Sequence, residues 1–116
     1  MTLEREAKKV GAISHSRSMA KCGYTYMLTN KPFGTLYIGV TSNLRRRIHA
    51  HRTGIGGAFT CKYDLTNLVW FETYDLITDA IQCEKQLKAW RRAWKIALIE
   101  KHNPDWHDLY PGIAQE

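Results

Sequence analysis

Five side chains far apart in the chain are the ones that could do chemistry: Tyr26, Tyr37, Arg47, His51 and Glu84. Arg47 and His51 lie four apart, so on a helix a guanidinium and an imidazole stand one above the other. The guanidinium can grip a phosphate through two parallel hydrogen bonds. A neutral histidine can take or orient a proton near pH 7. A phenol has a pKa near ~10, so it works as a base only with a lowered pKa or a partner for the proton. Lys62, in the glycine-rich stretch Ile55–Lys62, could be that partner or could touch phosphate. Glu84 lies four after Ala80 and three before Leu87, which sets its carboxylate in or beside a core-facing stripe. A buried acid needs a cation. An ion pair with Arg47 or a nearby lysine is one answer. Magnesium is another, because it keeps several waters and needs few protein oxygens when a phosphate supplies the rest.

The elements that must position these groups follow from local pattern. Tyr24–Thr29 and Thr35–Thr41 are rich in aromatic and β-branched residues and read as strands. The Asn30–Gly34 segment between them is turn chemistry, with Pro32 fixing φ and Gly34 suited to positive φ, so the two strands pair antiparallel as a hairpin. Ser42 or Asn43 can cap a helix from Leu44 to Arg52 that stops at Thr53–Gly54. Leu68–Tyr74 is a nearly continuous apolar run, the mark of a strand covered on both faces. Thr78 can cap a helical region from Asp79 to about Lys101, with a break near Trp90–Trp94 that would make two helices and both tryptophans packed in the core. Asn103-Pro104 ends it, since the residue before proline is pushed out of the helix.

Taken together this is an α+β fold with the order β-β-α-β-α-α. The pattern predicts a single domain at 22–110, a basic N-terminal arm at 1–21, and a frayed C-terminal tail at 111–116. No internal repeat is present. The arm's lysines and arginines could touch phosphate, although such arms are more often simply solvated.

Composition bounds the partners. The chain has 116 residues and a net charge of +6, with a pI of about 9.4. That balance favours an anionic partner, nucleic acid foremost. Arg45, Arg46, Lys62, Arg91 and Arg92 are the candidate backbone contacts. The three cysteines, Cys22, Cys61 and Cys83, are odd in number and lack CxxC spacing, which argues against a disulfide framework or a zinc site. No apolar run is long enough to span a bilayer, and Met1–Glu6 lacks a signal-peptide pattern, so a cytoplasmic location is expected. The phosphate-loop patterns GxxxxGK[ST] and GxGxxG are missing from the glycine-rich stretch.

In order along the chain, Tyr24-Thr25-Tyr26, Tyr37-Ile38-Gly39, Arg47, Glu84 and Asn103 resemble the landmarks of the GIY-YIG nuclease superfamily. The likeness is closest to its small stand-alone bacterial members, which are related to the N-terminal domain of the bacterial excision-repair nuclease. The resemblance implies a small three-stranded antiparallel sheet flanked by helices, and metal-dependent hydrolysis of phosphodiester bonds in DNA more than RNA, in repair or recombination. It implies that Tyr26 or Tyr37 deprotonates or orients the attacking water, with Tyr26 slightly favoured. It further implies that Arg47 stabilises charge on phosphorus, His51 assists water activation, and Glu84 holds a single Mg²⁺ or Mn²⁺. Gly39 and Asn103 would support the site. Tyr24 stands where the first motif has glycine. A monomer or weak dimer, with a protein partner for targeting, is compatible with the chain. A non-catalytic nucleic-acid-binding module that needs a partner is the alternative, and a protein-interaction domain with incidental charge is the third.

Overall fold

A computed structural model describes residues 22–54, 60 and 62–114. The predicted arm at 1–21 and most of the glycine-rich stretch lie outside the described residues. Among the described residues the elements run in the order β1 (Gly23–Thr29), β2 (Leu36–Thr41), α1 (Leu44–Arg52), β3 (Asn67–Tyr74), α2 (Ile77–Ala89), α3 (Arg92–His102) and α4 (Tyr110–Ala114). The sheet is antiparallel with strand order β2-β1-β3, so the first strand is central.

Alternation along β1 sorts the molecule into two layers, because successive side chains in a strand point to opposite faces. Met27 joins Ile38, Trp70, Ala80, Cys83, Leu87 and Ile99 in a core beneath α2 and α3. Thr25, on the same face, donates from its hydroxyl to Ala80 O at 2.7 Å. Tyr26 and Leu28 turn the other way, onto Leu44 and Ile48 of α1 and onto Leu65 and Leu68. Each such apolar side chain taken fully from water contributes roughly 1.5–3 kcal/mol.

The β3 run serves both cores because its register slips. Met27 pairs with Trp70 and Leu28 with Leu68, which leaves Val69 as an extra residue in a bulge. Val69 O, off the ladder, accepts from the Asn103 amide at 3.1 Å. The same amide donates to His107 O at 2.9 Å, and Asn103 Oδ1 accepts from the His107 N–H at 3.0 Å. One buried side chain therefore closes α3 and satisfies the bulge. Asn103→Ala is expected to cost about 1–3 kcal/mol, the penalty of a buried carbonyl left without a donor. Urea unfolding followed by far-UV circular dichroism would check this; an unchanged midpoint would refute it.

Local details differ from expectation in ways that have causes. In the hairpin turn the left-handed residue is Phe33, with φ of 61°, and not Gly34. Glycine is needed at 34 for space, since a Cβ there would lie 2.1 Å from Asn30 Oδ1. The strained turn is held by Arg92, which donates to Phe33 O and Gly34 O at 2.6 and 2.7 Å, and by the Phe33 ring set 4.9 Å from that of Trp106. Helix α2 begins at Ile77, before Thr78, and has no side-chain cap. Asn43, not Ser42, caps α1, accepting from Arg46 N–H at 3.1 Å. The break between α2 and α3 falls at Trp90-Arg91, where both residues are extended. Trp90 packs on the core, whereas Trp94 is 52% exposed, edge-on to Trp90. The predicted tail is partly structured: α4 lays Tyr110 and Ile113 beside the α1 core. Arg52 ties that segment down with a 2.7 Å ion pair to Asp108 and a guanidinium 4.7 Å above the Tyr110 ring. No helix among the described residues is long and apolar enough to cross a membrane.

Candidate active site

Tyr26 and Gly39 are partners across the β1–β2 ladder, and Tyr37 lies two residues before Gly39 on the same face of β2. The rings of Tyr26 and Tyr37 come within 6.3 Å of each other, centroid to centroid. Glycine at 39 is what allows this approach. A Cβ there would sit 2.5 Å from both the Tyr26 hydroxyl oxygen and its Cζ, and 3.0 Å from Tyr37 Cε2. Gly39→Ala is expected to displace both phenols and to cost about 1–3 kcal/mol of stability through overpacking. A thermal melt together with a tyrosine near-UV signal would show it; a native-like near-UV spectrum would speak against it.

Helix α1 brings the next two groups over this pair. His51 is only 3% exposed. Its Nε2 lies 3.0 Å from the Tyr26 hydroxyl and its Nδ1 lies 3.1 Å from Thr60 Oγ1. Its ring centroid is 5.9 Å from that of Tyr26 and 5.6 Å from that of Tyr37. Arg47, one turn earlier on the same face, donates from its guanidinium to both phenol oxygens. The four side chains expected to cooperate therefore form one connected group: Tyr26, Tyr37, Arg47 and His51.

Burial sets the charge state of this group. It pushes the Tyr26 phenol up to about 12, and the hydrogen bond from Arg47 only partly opposes that. Burial, with the Arg47 charge beside it, pulls the His51 imidazole down to about 4. Arg47 is held still more firmly protonated, first by its hydrogen bond to Tyr26. At neutral pH Tyr26 is thus a neutral phenol and His51 a neutral imidazole beside one fixed positive charge.

The depressed histidine has a consequence for stability. Its unfolded value is 6.5 and its folded value about 4, so the unfolded chain binds the extra proton first as pH falls. The contribution is fully present above pH 6.5 and is lost as pH drops toward 4. At ~1.4 kcal/mol per unit the loss is about 3 kcal/mol. Urea melts of wild type and His51→Gln between pH 7.5 and 4 are expected to converge at the acid end. Parallel curves would show that His51 is not held neutral by the fold.

Glu84 arrives from α2. Its carboxylate is half-buried and close enough to add to the upward pressure on the Tyr26 phenol. Of the cations weighed from the sequence, the one that pairs with it is Lys88, one turn along, at 2.6 Å. Lys88 and Lys95 share a hollow of about 310 Å³ with Tyr37, Leu36 and Ile38 at the outer edge of β2. A second hollow of about 250 Å³ is lined by Arg46 and Arg47 together with Thr41, Ser42 and Asn43.

The remaining candidates lie apart from the phenols. Asn103 sits at β3, the strand farthest from Tyr37, where it fastens the bulge. Lys62 is exposed, 5.4 Å above the Tyr63 ring. Arg91 lies over Trp94, its guanidinium 5.4 Å from the ring centre. Arg92 holds the hairpin turn. Arg45 and Arg46 are exposed. Thr60 is a contact that pattern reading misses, whereas Lys88 is one of the nearby lysines weighed for Glu84. No periodic signal in the sequence links Thr60 to His51, whereas the i, i+4 spacing of Glu84 and Lys88 picks out that lysine.

Among the described residues no group of three or more His, Cys, Asp or Glu could cage a metal ion. A closed zinc-type site is not built from them. A lone half-buried carboxylate beside a cationic cleft fits a hard divalent ion that completes its shell with water and phosphate.

The profile of the GIY-YIG catalytic domain matches residues 22–97, the segment that carries both phenols, the arginine and the acid. A UPF0213 protein of Pediococcus pentosaceus is 32% identical over 80 residues, covering 69% of this chain and 84% of that protein. One from Natronomonas pharaonis is 36% identical over 81 residues, covering 70% and 94%. Another, from Clostridium perfringens, is 37% identical over 76 residues, covering 66% and 81%. No solved structure matches the chain. With the sheet, the paired phenols and the matched segment all in agreement, the chain belongs to the GIY-YIG family, a family of nucleases.

Proposed function

We propose that this protein is a divalent-metal-dependent endonuclease that hydrolyses phosphodiester bonds in DNA, with little sequence preference and a role in repair or recombination. The observation that carries the proposal is the convergence of Arg47 on two phenols, beside Glu84 and two cationic hollows. Uncatalysed phosphate-ester hydrolysis is very slow, and preorganised positive charge is the effective remedy.

Arg47 has five N–H donors in a rigid fork. Some hold the Tyr26 and Tyr37 oxygens, and the fork also faces the hollow it shares with Arg46. There it binds the scissile phosphate and stabilises the charge that builds on it. Tyr37 is the phenol that meets the attacking water. It lines the open hollow at the β2 edge, whereas Tyr26 is 1% exposed and its ionisation is opposed by burial. This reverses the slight sequence preference for Tyr26. Tyr26 then serves, with His51 and Thr60 behind it, as the brace that orients Arg47. Glu84 is the residue that would hold the divalent ion, Mg²⁺ or Mn²⁺. When bound, such an ion supplies neutralisation of charge on the phosphate and the departing oxygen. Lys88 is more than half exposed, so solvent is open to its ammonium if the ion takes its place at Glu84.

Burial pushes Tyr26 up to about 12 and His51 down to about 4, so neither is expected to set a limb of the rate profile near neutrality. The test of function is a cleavage screen over duplex, branched and single-stranded DNA with Mg²⁺ or Mn²⁺, and RNA alongside. Nicking that needs the metal is the expected result. The Lys88–Glu84 ion pair favours a second reading, a binding module whose acid is already neutralised and which needs a partner to cut. Salt-sensitive DNA binding without cleavage in any divalent metal would select it.

A further inference from the structure

A third cavity lies on the same face of the sheet as the phenols. It has a volume of about 350 Å³ and is walled by the rings of Tyr24 and Phe71 with Leu44 and Ile113. That size falls at the lower end of small-ligand sites, which run from ~300 to 1,000 Å³. Tyr24 pairs with Thr73 and Tyr26 with Phe71, so Tyr24 and Phe71 are diagonal neighbours across β1 and β3. Both rings are only half-buried. Half-buried aromatic rings on a sheet face are the surface on which unstacked nucleobases are held in single-strand readers.

Charge and position point to the same occupant. Arg45 and Asn43 line this cavity, and Asn43 also lines the hollow of Arg46 and Arg47. Both spaces touch Asn43 at the start of α1, Arg45 lining the first and Arg46 and Arg47 the second. Tyr24 is two residues from Tyr26 on the same strand face, about 7 Å along β1. A strand whose phosphate sits at Arg47 has its neighbouring base within reach of the Tyr24 and Phe71 rings.

We propose that this cavity takes one unpaired nucleobase of the substrate strand, adjacent to the phosphate gripped at Arg47. The inference rests on the nuclease reading above and narrows its substrate class. A base inside a duplex is stacked and cannot enter, so substrates with an unpaired or extruded nucleotide are preferred: bulges, branch points and single-stranded ends. Asn43 Oδ1 is already committed to the cap of α1, and polar groups share the walls with the Tyr24 and Phe71 rings, so stacking holds the base without by itself selecting its identity.

The test measures binding with the divalent metal chelated, so that nothing is cut. The probes are a DNA duplex carrying a single bulged 2-aminopurine and the same duplex fully paired. The wild-type protein is expected to quench the bulged probe and to bind it about 10-fold more tightly than the paired one, within the range one base–aromatic stack provides. Tyr24→Leu, which keeps the apolar bulk and removes the ring, should abolish the quench and most of that preference. Thr73→Glu places a like charge beside the entering strand at an exposed position, and should do the same without touching the core. Equal affinity for both probes, or a quench that survives both substitutions, overturns the proposal. The outcome is separable from the nuclease reading. A protein that cuts paired DNA regardless of Tyr24 keeps the nuclease and loses the base pocket. One that shows the preference yet cuts nothing with any divalent metal keeps the pocket as a binding site and loses the nuclease.

Discussion

Arg47→Ala is expected to slow DNA cleavage by about 10²- to 10³-fold, the usual cost of removing one preorganised donor from a developing anion. The packing of α1 should survive, because Leu44 and Ile48 carry it and the Arg47 side chain is only half-buried. Arg47→Lys should fail nearly as badly. One ammonium cannot hold two phenol oxygens and still present a planar fork to phosphate. Single-turnover cleavage separates the effect on the bond-breaking step from the effect on DNA affinity, which should fall much less while Arg45 and Arg46 remain. Cleavage by Arg47→Ala within threefold of wild type would show that the phenol-bound guanidinium is not aimed at the reacting phosphate.

Glu84→Ala should lose still more, about a thousandfold or beyond, since several kcal/mol of charge stabilisation depend on that carboxylate. Its cost to stability should be small. The Lys88 partner is more than half exposed, though the Glu84 side chain is only 14% exposed, so the loss is about 1 kcal/mol, the upper end for such ion pairs. The substitution therefore separates function from folding in one protein. A second readout does not depend on cutting: binding of Mn²⁺ followed by calorimetry or electron paramagnetic resonance in the presence of DNA. It should disappear in Glu84→Ala, and tighten in Lys88→Met, where the competing ammonium is gone. Undiminished metal binding in Glu84→Ala would send the search for the ligand to another residue.

Local chemistry explains why so much of the backbone was legible. Asn43 has the right side chain at the right place to cap α1, and Thr53–Gly54 ends it where the apolar spacing stops. The β1–β2 hairpin needs only two β-rich runs and a proline-containing turn. Exposure was less readable. Trp94 looks like core at i, i+4 from Trp90, yet the extended residues Trp90 and Arg91 start a new helix with a new phase, so Trp94 meets Trp90 edge-on and stays exposed.

Sequence alone determined the order of elements, the antiparallel hairpin and the pairing of Arg47 with His51 on one helix face, because each follows from local spacing; the family resemblance came from landmarks ordered between Tyr24 and Asn103. Only the tertiary structure decided that β1 is central, that Tyr26 is sealed against His51 while Tyr37 lines a hollow, and that Asn103 serves the Val69 bulge. These depend on which distant surfaces exclude water from one another. Nothing in the neighbouring residues encodes that.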